Sequence, residues 1–396
     1  MKKHRVVIDI TSVASVSFIS GIQRVAREIV VRLLKWEEVA PVEIVLLTYD
    51  TLRTEFRHVP SSLFLGYLCK EVKQRKLFAG DWFRLEDLTE ADIFFDIDSV
   101  WNDRMRRSFL LPRLKRQGVR IAVFIQDIIP VLFPQYCDRE TAMRFMDFLG
   151  AYLLNADVIF ASSESAKADM QDLARELGLP EKSFVIAPLG ADFDRERMAA
   201  VLPESEAILA LKDSCYLFLI GTIEPRKNYD FILDVYEERL RSLGFRLVIA
   251  GRPGWNVDAL MDRIQRLRKT DKDFVYLQGA DDRTVNFLYE HAFFTVFPTH
   301  YEGYGLPVVE SFLHGTPVLA TDIKVLREVG GDRGEYFTAG DADSLVERLV
   351  YYRDHPEEYR AKKASLAEFR PVTWEDSEKA VRSGLETVLE SNTKIR

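Results

Sequence analysis

The sequence predicts an α/β protein built from two open-sheet domains, and three observations lead there. The chain has 396 residues, too long for one ordinary core and suited to two. Short β-branched runs alternate with stretches whose apolar residues recur at helical spacing, the pattern of parallel sheets covered on both faces. A polar linker, Pro203-Glu204-Ser205-Glu206, lies between Pro188-Leu189-Gly190, which closes one run of strands, and a new strand opening at Tyr216. The division is therefore expected near residue 205.

In chain order, the first half offers strands at Val6–Ile10, Val42–Leu47, Ala91–Phe95, Val119–Ile125, Ala156–Ala161 and Ser183–Ala187. The second half offers Tyr216–Ile220, Phe245–Ala250, Phe274–Leu277, Phe294–Phe297 and Val318–Ala320. Amphipathic helices are expected at Ile22–Lys35, Ala142–Leu154, Tyr229–Arg241 and Asp258–Leu267, among others. Ligands of such sheets bind beyond the carboxyl ends of the strands, so two such domains predict a cleft lined by those ends.

Composition narrows the class. Hydrophobic residues make up 47% and charged residues 29%, a soluble globular profile. No apolar run approaches a membrane-spanning length. Met1-Lys2-Lys3-His4-Arg5 is followed only by a short strand-like run, so no signal peptide is expected. Cys69, Cys137 and Cys215 are far apart and fit free thiols in a reducing cytoplasm. A formal net charge of -8 argues against nucleic acid as a partner. His291, His300 and His314 lack ligand spacing, and no Ser–His–Asp or Cys–His arrangement can be assigned, so no metal site is expected.

Four segments can carry chemistry. Gly221-Thr222-Ile223-Glu224-Pro225-Arg226-Lys227-Asn228 follows a strand and precedes a helix. A Gly turn there admits a ligand to the backbone, and two adjacent cations can neutralise a diphosphate; the plainer reading is a connection with solvated Arg and Lys. Glu302-Gly303-Tyr304-Gly305-Leu306-Pro307-Val308-Val309-Glu310 follows another strand, with Pro307 at the expected first helical position. Free helix N–H groups make an anion site, and carboxylates accept from sugar hydroxyls; alternatively Glu310 merely complements the helix dipole. Ser20-Gly21-Ile22-Gln23-Arg24 opens a helix, with Ser20 as a candidate cap, and is not a dinucleotide fingerprint. Gln126 and Asp127 end the strand Val119–Ile125, where side chains face a ligand or cap a turn before Pro130. A cationic stretch, Arg104, Arg106, Arg107, Arg113, Lys115, Arg116 and Arg120, is interleaved with Phe109, Leu110, Leu111 and Leu114. It reads either as a solvated helix with an apolar side in the core or as a surface for anionic membrane.

Taken together these segments resemble glycosyltransferase family 4, whose members have the GT-B fold of two Rossmann-like domains with a deep inter-domain cleft and retain anomeric configuration. Glu302 and Glu310 match that family's glutamates separated by seven residues, and Gly303 to Pro307 match its Gly-aromatic-Gly-Leu-Pro loop. His314-Gly315-Thr316-Pro317-Val318 resembles its following Gly-x-Pro-Val strand, and Gly279 to Asp282, after Gln278, resembles the turn near its nucleotide base. Gly21-Ile22-Gln23-Arg24-Val25 with Glu224 to Asn228 is similar to bacterial mannosyl- and rhamnosyltransferases that build surface polysaccharides such as O-antigen and capsule.

The resemblance implies an acceptor domain over residues 1–205, a donor domain over 206–371, and a terminal segment, 372–396, whose helix crosses back to the first. It implies transfer of a hexose, mannose or rhamnose favoured, from a nucleotide-sugar to a glycan or polyprenyl-linked acceptor, with no metal and no other cofactor. Lys227, Arg226 and the backbone of Gly221 and Gly303 to Leu306 would hold the diphosphate. Glu310 would bind ribose, Glu302 the sugar or its phosphate side, and Gln278 and Gly279 would lie by the base. Asp127, Gln126, Gly21 and Arg24 would serve sugar or acceptor. Lys227 is expected to be an exposed lysine of little weight in folding. The sequence departs from the family twice: Gln126 stands where many members carry His, and Thr222 where an Arg often follows the Gly. A cytoplasmic protein with peripheral association at the inner face of the membrane is expected. A nucleotide-sugar epimerase or a non-catalytic sugar-nucleotide-binding subunit on the same fold is the alternative.

Overall fold

The computed structural model describes residues 4–15, 21–102, 104–192 and 203–391. It divides into two compact units, each an α/β layer structure. Met1–Pro134, Arg139–Gly190 and Val372–Arg396 form the first; Gln135–Asp138 and Ala191–Pro371 form the second. The division thus falls at Gly190, ahead of residue 205.

The first unit is an eight-stranded sheet. Its strands are β1 (His4–Asp9), β2 (Val42–Asp50), β3 (Glu55–Val59), β4 (Trp82–Phe83), β5 (Asp92–Asp96), β6 (Arg120–Ile125), β7 (Val158–Ala161) and β8 (Phe184–Ile186). They lie in the order β4-β3-β2-β1-β5-β6-β7-β8. All pairs from β2 to β8 are parallel, and their near-continuous apolar runs are buried under helices on both faces. The edge strand β4 and its neighbour β3 run antiparallel and are absent from the expected set. The polar sequence of β3, Glu55-Phe56-Arg57-His58-Val59, hides the signal, and tertiary pairing to β2 decides it.

The helix Trp374–Glu390 belongs to this unit and packs on the helix Gly21–Trp36 and on β7 and β8. Its start is legible locally: Thr373 accepts from the Asp376 amide while Asp376 accepts from the Thr373 amide, a reciprocal capping box.

The second unit is a fully parallel six-stranded sheet: β9 (Tyr216–Ile220), β10 (Arg246–Ala250), β11 (Phe274–Leu277), β12 (Phe294–Phe297), β13 (Val318–Thr321) and β14 (Glu335–Phe337). The order β11-β10-β9-β12-β13-β14 puts β9 and β12 side by side at the point where the winding reverses. The expected helix from Tyr229 is interrupted: α-helical turns over Tyr229–Val235 give way to a wider π turn over Tyr236–Leu240.

Candidate functional site

Two loops of the second unit carry the site, one after β9 and one after β12. The first begins at Gly221, whose φ is 135°. It is zipped to the loop after β10: Gly221 N donates to Ala250 O (3.1 Å), Ile223 N to Arg252 O (2.8 Å) and Gly254 N to Ile223 O (2.8 Å). The approach is close enough that a Cβ on Gly251 would lie 2.0 Å from the Gly221 carbonyl oxygen. Gly251 is therefore a structural requirement of this loop. Periodicity reasoning missed it; a second glycine two residues ahead of Pro253 was the available signal. Pro225–Lys227 then make a 3₁₀ turn, and Asn228, in the left-handed conformation, opens the next helix.

The second loop starts at Pro298 and ends at Gly305, whose left-handed φ of 100° turns the chain into the helix Leu306–Leu313. Pro307 lies in its first turn, as expected, with the helix one residue longer at its start. Gly303 and Gly305 are buried, and Tyr304 and Leu306 half-buried.

The two loops interlock through Arg226. Its carbonyl accepts from His300 N (2.9 Å) and the Thr299 hydroxyl (3.2 Å), and its guanidinium donates to Tyr301 O (2.7 Å). Glu302 Oε1 pairs with Arg226 Nη1 at 2.7 Å and with Lys227 Nζ. Glu224, also buried, takes the other side of Arg226. The Lys227 ammonium also lies over the Phe297 ring, 4.6 Å from its centroid. Lys227 is 12% exposed and Glu302 9%, so the expectation of an exposed, solvated lysine is corrected. The turn buries its side chain between β12 and the loop that follows. Nor do the two cations stand ready as bare charges; two carboxylates share them.

The electrostatics follow from this. Burial alone would raise the Glu302 carboxyl, but the charges of Arg226 and Lys227 outweigh it and hold it below the ordinary glutamate value. Burial depresses the Lys227 ammonium, and repulsion from Arg226 adds to this, so that Glu302 does not fully restore it.

Glu310 sits on the helix Leu306–Leu313 and accepts from the Tyr289 hydroxyl at 3.0 Å. Tyr289 stacks on His314 at 5.0 Å and is the orienting residue that sequence reasoning did not find. Gln278 and Gly279 follow β11 at the same sheet edge; both are exposed, and Gly279 has a φ of 74°.

The remaining expected residues stand in the first unit. Gln126 follows β6, its carbonyl accepting from the Ser162 hydroxyl at 2.7 Å, while its Nε2 is buried with no hydrogen-bond partner among the described residues. An orphaned buried donor is costly unless something completes it. Asp127 accepts from Ile129 N at 3.1 Å, the turn-capping arrangement. Gly21 begins the helix Gly21–Trp36, where a Cβ would meet nothing within 4 Å among the described residues, and the Arg24 guanidinium lies over the Trp374 ring at 5.8 Å. Ser20 lies outside the described residues. The middle of the cationic stretch forms the helix Arg107–Arg116, with Leu110, Leu111 and Leu114 buried and Phe109 77% exposed, while Arg104 and Arg106 precede it and Arg120 opens β6. Arg107 departs from both readings of that stretch: it is fully buried, bridging Asp9 (2.6 Å) and Asp96 (2.5 Å).

Residues 214–354, which contain both loops, match the family described as Glycosyl transferases group 1. The second unit carries a glycosyltransferase group 1 domain. Outside this domain the similarity continues. Serotype-specific mannosyltransferase WbdA of Escherichia coli is 27% identical over 366 residues, 88% of this chain and 41% of the relative. This chain thus spans about two-fifths of the length of that relative. O-antigen chain mannosyltransferase B of Escherichia coli is 28% identical over 278 residues, 68% of this chain and 70% of the relative. The fold is GT-B. Sucrose-phosphate synthase from Thermosynechococcus elongatus superposes with a TM-score of 0.62 at 15% identity, covering 99% of this chain and 98% of that one. Anabaena HepE in complex with UDP gives 0.62 at 11% identity, covering 97% and 100%. Among the described residues, no helix is long and apolar enough to cross a membrane.

Proposed function

We propose that this chain is a retaining, metal-independent hexosyltransferase that moves mannose or rhamnose from a nucleotide-sugar onto a glycan or lipid-linked acceptor in surface-polysaccharide synthesis. The observation that supports this most is the cluster of Arg226, Lys227 and Glu302 beyond the adjoining strands β9 and β12. The mannosyltransferase relatives favour mannose.

Cleavage of the donor's glycosidic bond puts negative charge on the departing diphosphate. Arg226 and Lys227 are held in place before that charge develops and stabilise it as it forms. They do the work of a divalent ion, so the reaction requires no metal. Glu302 uses Oε1 for both cations, which leaves Oε2 to accept from a hydroxyl of the donor sugar. Glu310, oriented by Tyr289, accepts from the ribose, and the amides from Gly303 to Leu306 meet the phosphates. Gln278 and Gly279 flank the base. In the first unit, Gln126 Nε2, without a partner among the described residues, donates to the acceptor, with Gly21, Arg24 and Asp127 serving the same end. The protein works in the cytoplasm, associated peripherally with the inner face of the membrane.

The test is product analysis with the full chain, GDP-mannose or dTDP-rhamnose, and lipid-linked or free oligosaccharide acceptors, in EDTA. Transfer with the donor's anomeric configuration preserved is expected. Inverted product, or transfer lost in EDTA and restored by manganese, would refute the mechanism. Donor turnover without acceptor would identify an epimerase.

A further inference from the structure

The first unit holds a cavity of about 330 Å³ lined by none of the residues assigned above to donor or acceptor. It lies among the turn Val100–Asn102, the start of the helix Arg107–Arg116 and the helix Arg139–Asn155. Trp101 and Phe148, edge to face at 5.3 Å, supply an apolar wall. Arg104, Arg106 and Arg144 supply the charge. Arg144 is partly committed, pairing with Glu140 at 2.5 Å and donating to Asn102 O at 3.2 Å. Arg104 and Arg106 are exposed, and neither makes an ion pair among the described residues. Asp147, the carboxylate in the lining, accepts from the Ser108 hydroxyl at 3.0 Å.

The contrast along this stretch is informative. Arg107 is taken by Asp9 and Asp96, Arg113 by Glu86, and Lys115 and Arg120 by Asp157. Two of the cations without a carboxylate open onto the same cavity. Arg116, also exposed and unpaired among the described residues, stands outside it.

We propose that this cavity binds a phosphate monoester carried on an apolar or aromatic group. Guanidinium forks match phosphate oxygens two at a time. The dianionic monoester answers two unpaired arginines, whereas a carboxylate answers one. The Trp101–Phe148 wall packs the carrier. The inference does not depend on the transfer reaction, since the donor loops are built from other residues.

The experiment is a calorimetric titration of the full chain with phenyl phosphate, with benzoate as its carboxylate counterpart. A saturable site is expected that Arg104→Ala/Arg106→Ala weakens by about tenfold or more, on the scale of hydrogen bonds to charged groups. Arg116→Ala keeps it. The double variant retains the wild-type melting temperature and nucleotide-sugar affinity, which separates this site from the donor loops. Vesicles of phosphatidylcholine and phosphatidic acid identify the source. Vesicle binding lost in the double variant makes the monoester a lipid headgroup; vesicle binding absent or unchanged makes it a soluble ester. No saturable binding of phenyl phosphate, equal affinity for benzoate, or equal loss in Arg116→Ala overturns the proposal.

Discussion

Lys227→Met separates what the loop after β9 does in the proposed reaction from what it does in folding. Lys227 lies between Glu302 and the Phe297 ring, and its removal acts on both. In the proposed reaction, its charge matters most as the leaving diphosphate forms, so the transition state suffers more than the bound donor. One preorganised contact of this kind is worth about 2.7–4 kcal/mol, a hundred- to a thousand-fold in kcat. In folding, Glu302 loses one of two cations but keeps Arg226 at 2.7 Å. Breaking a buried pair outright costs about 3–5 kcal/mol. With one partner retained, about 1–3 kcal/mol is expected, at roughly 2–4 °C of melting temperature per kcal/mol for a unit of this size. The double variant Lys227→Met/Glu302→Gln removes the uncompensated carboxylate as well, and should regain most of the stability while turnover stays low. The measurements are kcat and KM from nucleoside-diphosphate release, and melting of each variant without ligand. Near-normal kcat in the single variant would remove Lys227 from the reaction. An unchanged melting temperature, or a double variant less stable than the single, would refute the buried pairing.

Three further outcomes follow from the packing and charge. Gly251→Ala drives a Cβ into the Gly221 carbonyl, so about 1–3 kcal/mol of stability and most nucleotide-sugar affinity should be lost, read by urea denaturation and titration; wild-type affinity would show that the loops move apart freely. Arg107→Met strands Asp9 and Asp96 in the core and should cost about 3–5 kcal/mol in urea denaturation, with part regained as pH falls and Asp96, whose carboxyl burial already raises, takes up a proton; a loss under 1 kcal/mol would mean that the carboxylates are solvated. Burial pushes the Asp98 carboxyl up to about 6 from an ordinary 3.8, so the folded state holds its proton more tightly than the unfolded one. Its contribution to stability is fully present below the unfolded value and lost as pH rises through 6, at most about 3 kcal/mol; the difference in unfolding free energy between wild type and Asp98→Asn, followed from pH 4 to 7, should change in that sense, and a flat difference would refute it.

What the sequence by itself determined is the α/β class, most strands of both sheets and the two glycine-bearing loops after β9 and β12. Period-2 and period-3.6 patterns survive in buried parallel strands and amphipathic helices, because burial on a regular element repeats along the chain. Gly305, Pro307 and the Glu302–Glu310 spacing were legible for the same local reason: a turn into a helix writes its backbone demands in adjacent residues. The antiparallel strands β3 and β4 were not legible, since β3 rests on its pairing with β2 and β4 on its pairing with β3 rather than on their own patterns. The state of the charges was decided by tertiary structure alone. Arg226 and Lys227 read as solvated cations until β12 brings Glu302 across from 75 residues away, and Arg107 reads as one more basic surface residue until β1 and β5 set Asp9 and Asp96 against it. Spacing along a chain cannot encode this, because an ion pair depends on which strands the sheet makes neighbours and on how far the pair is withdrawn from water.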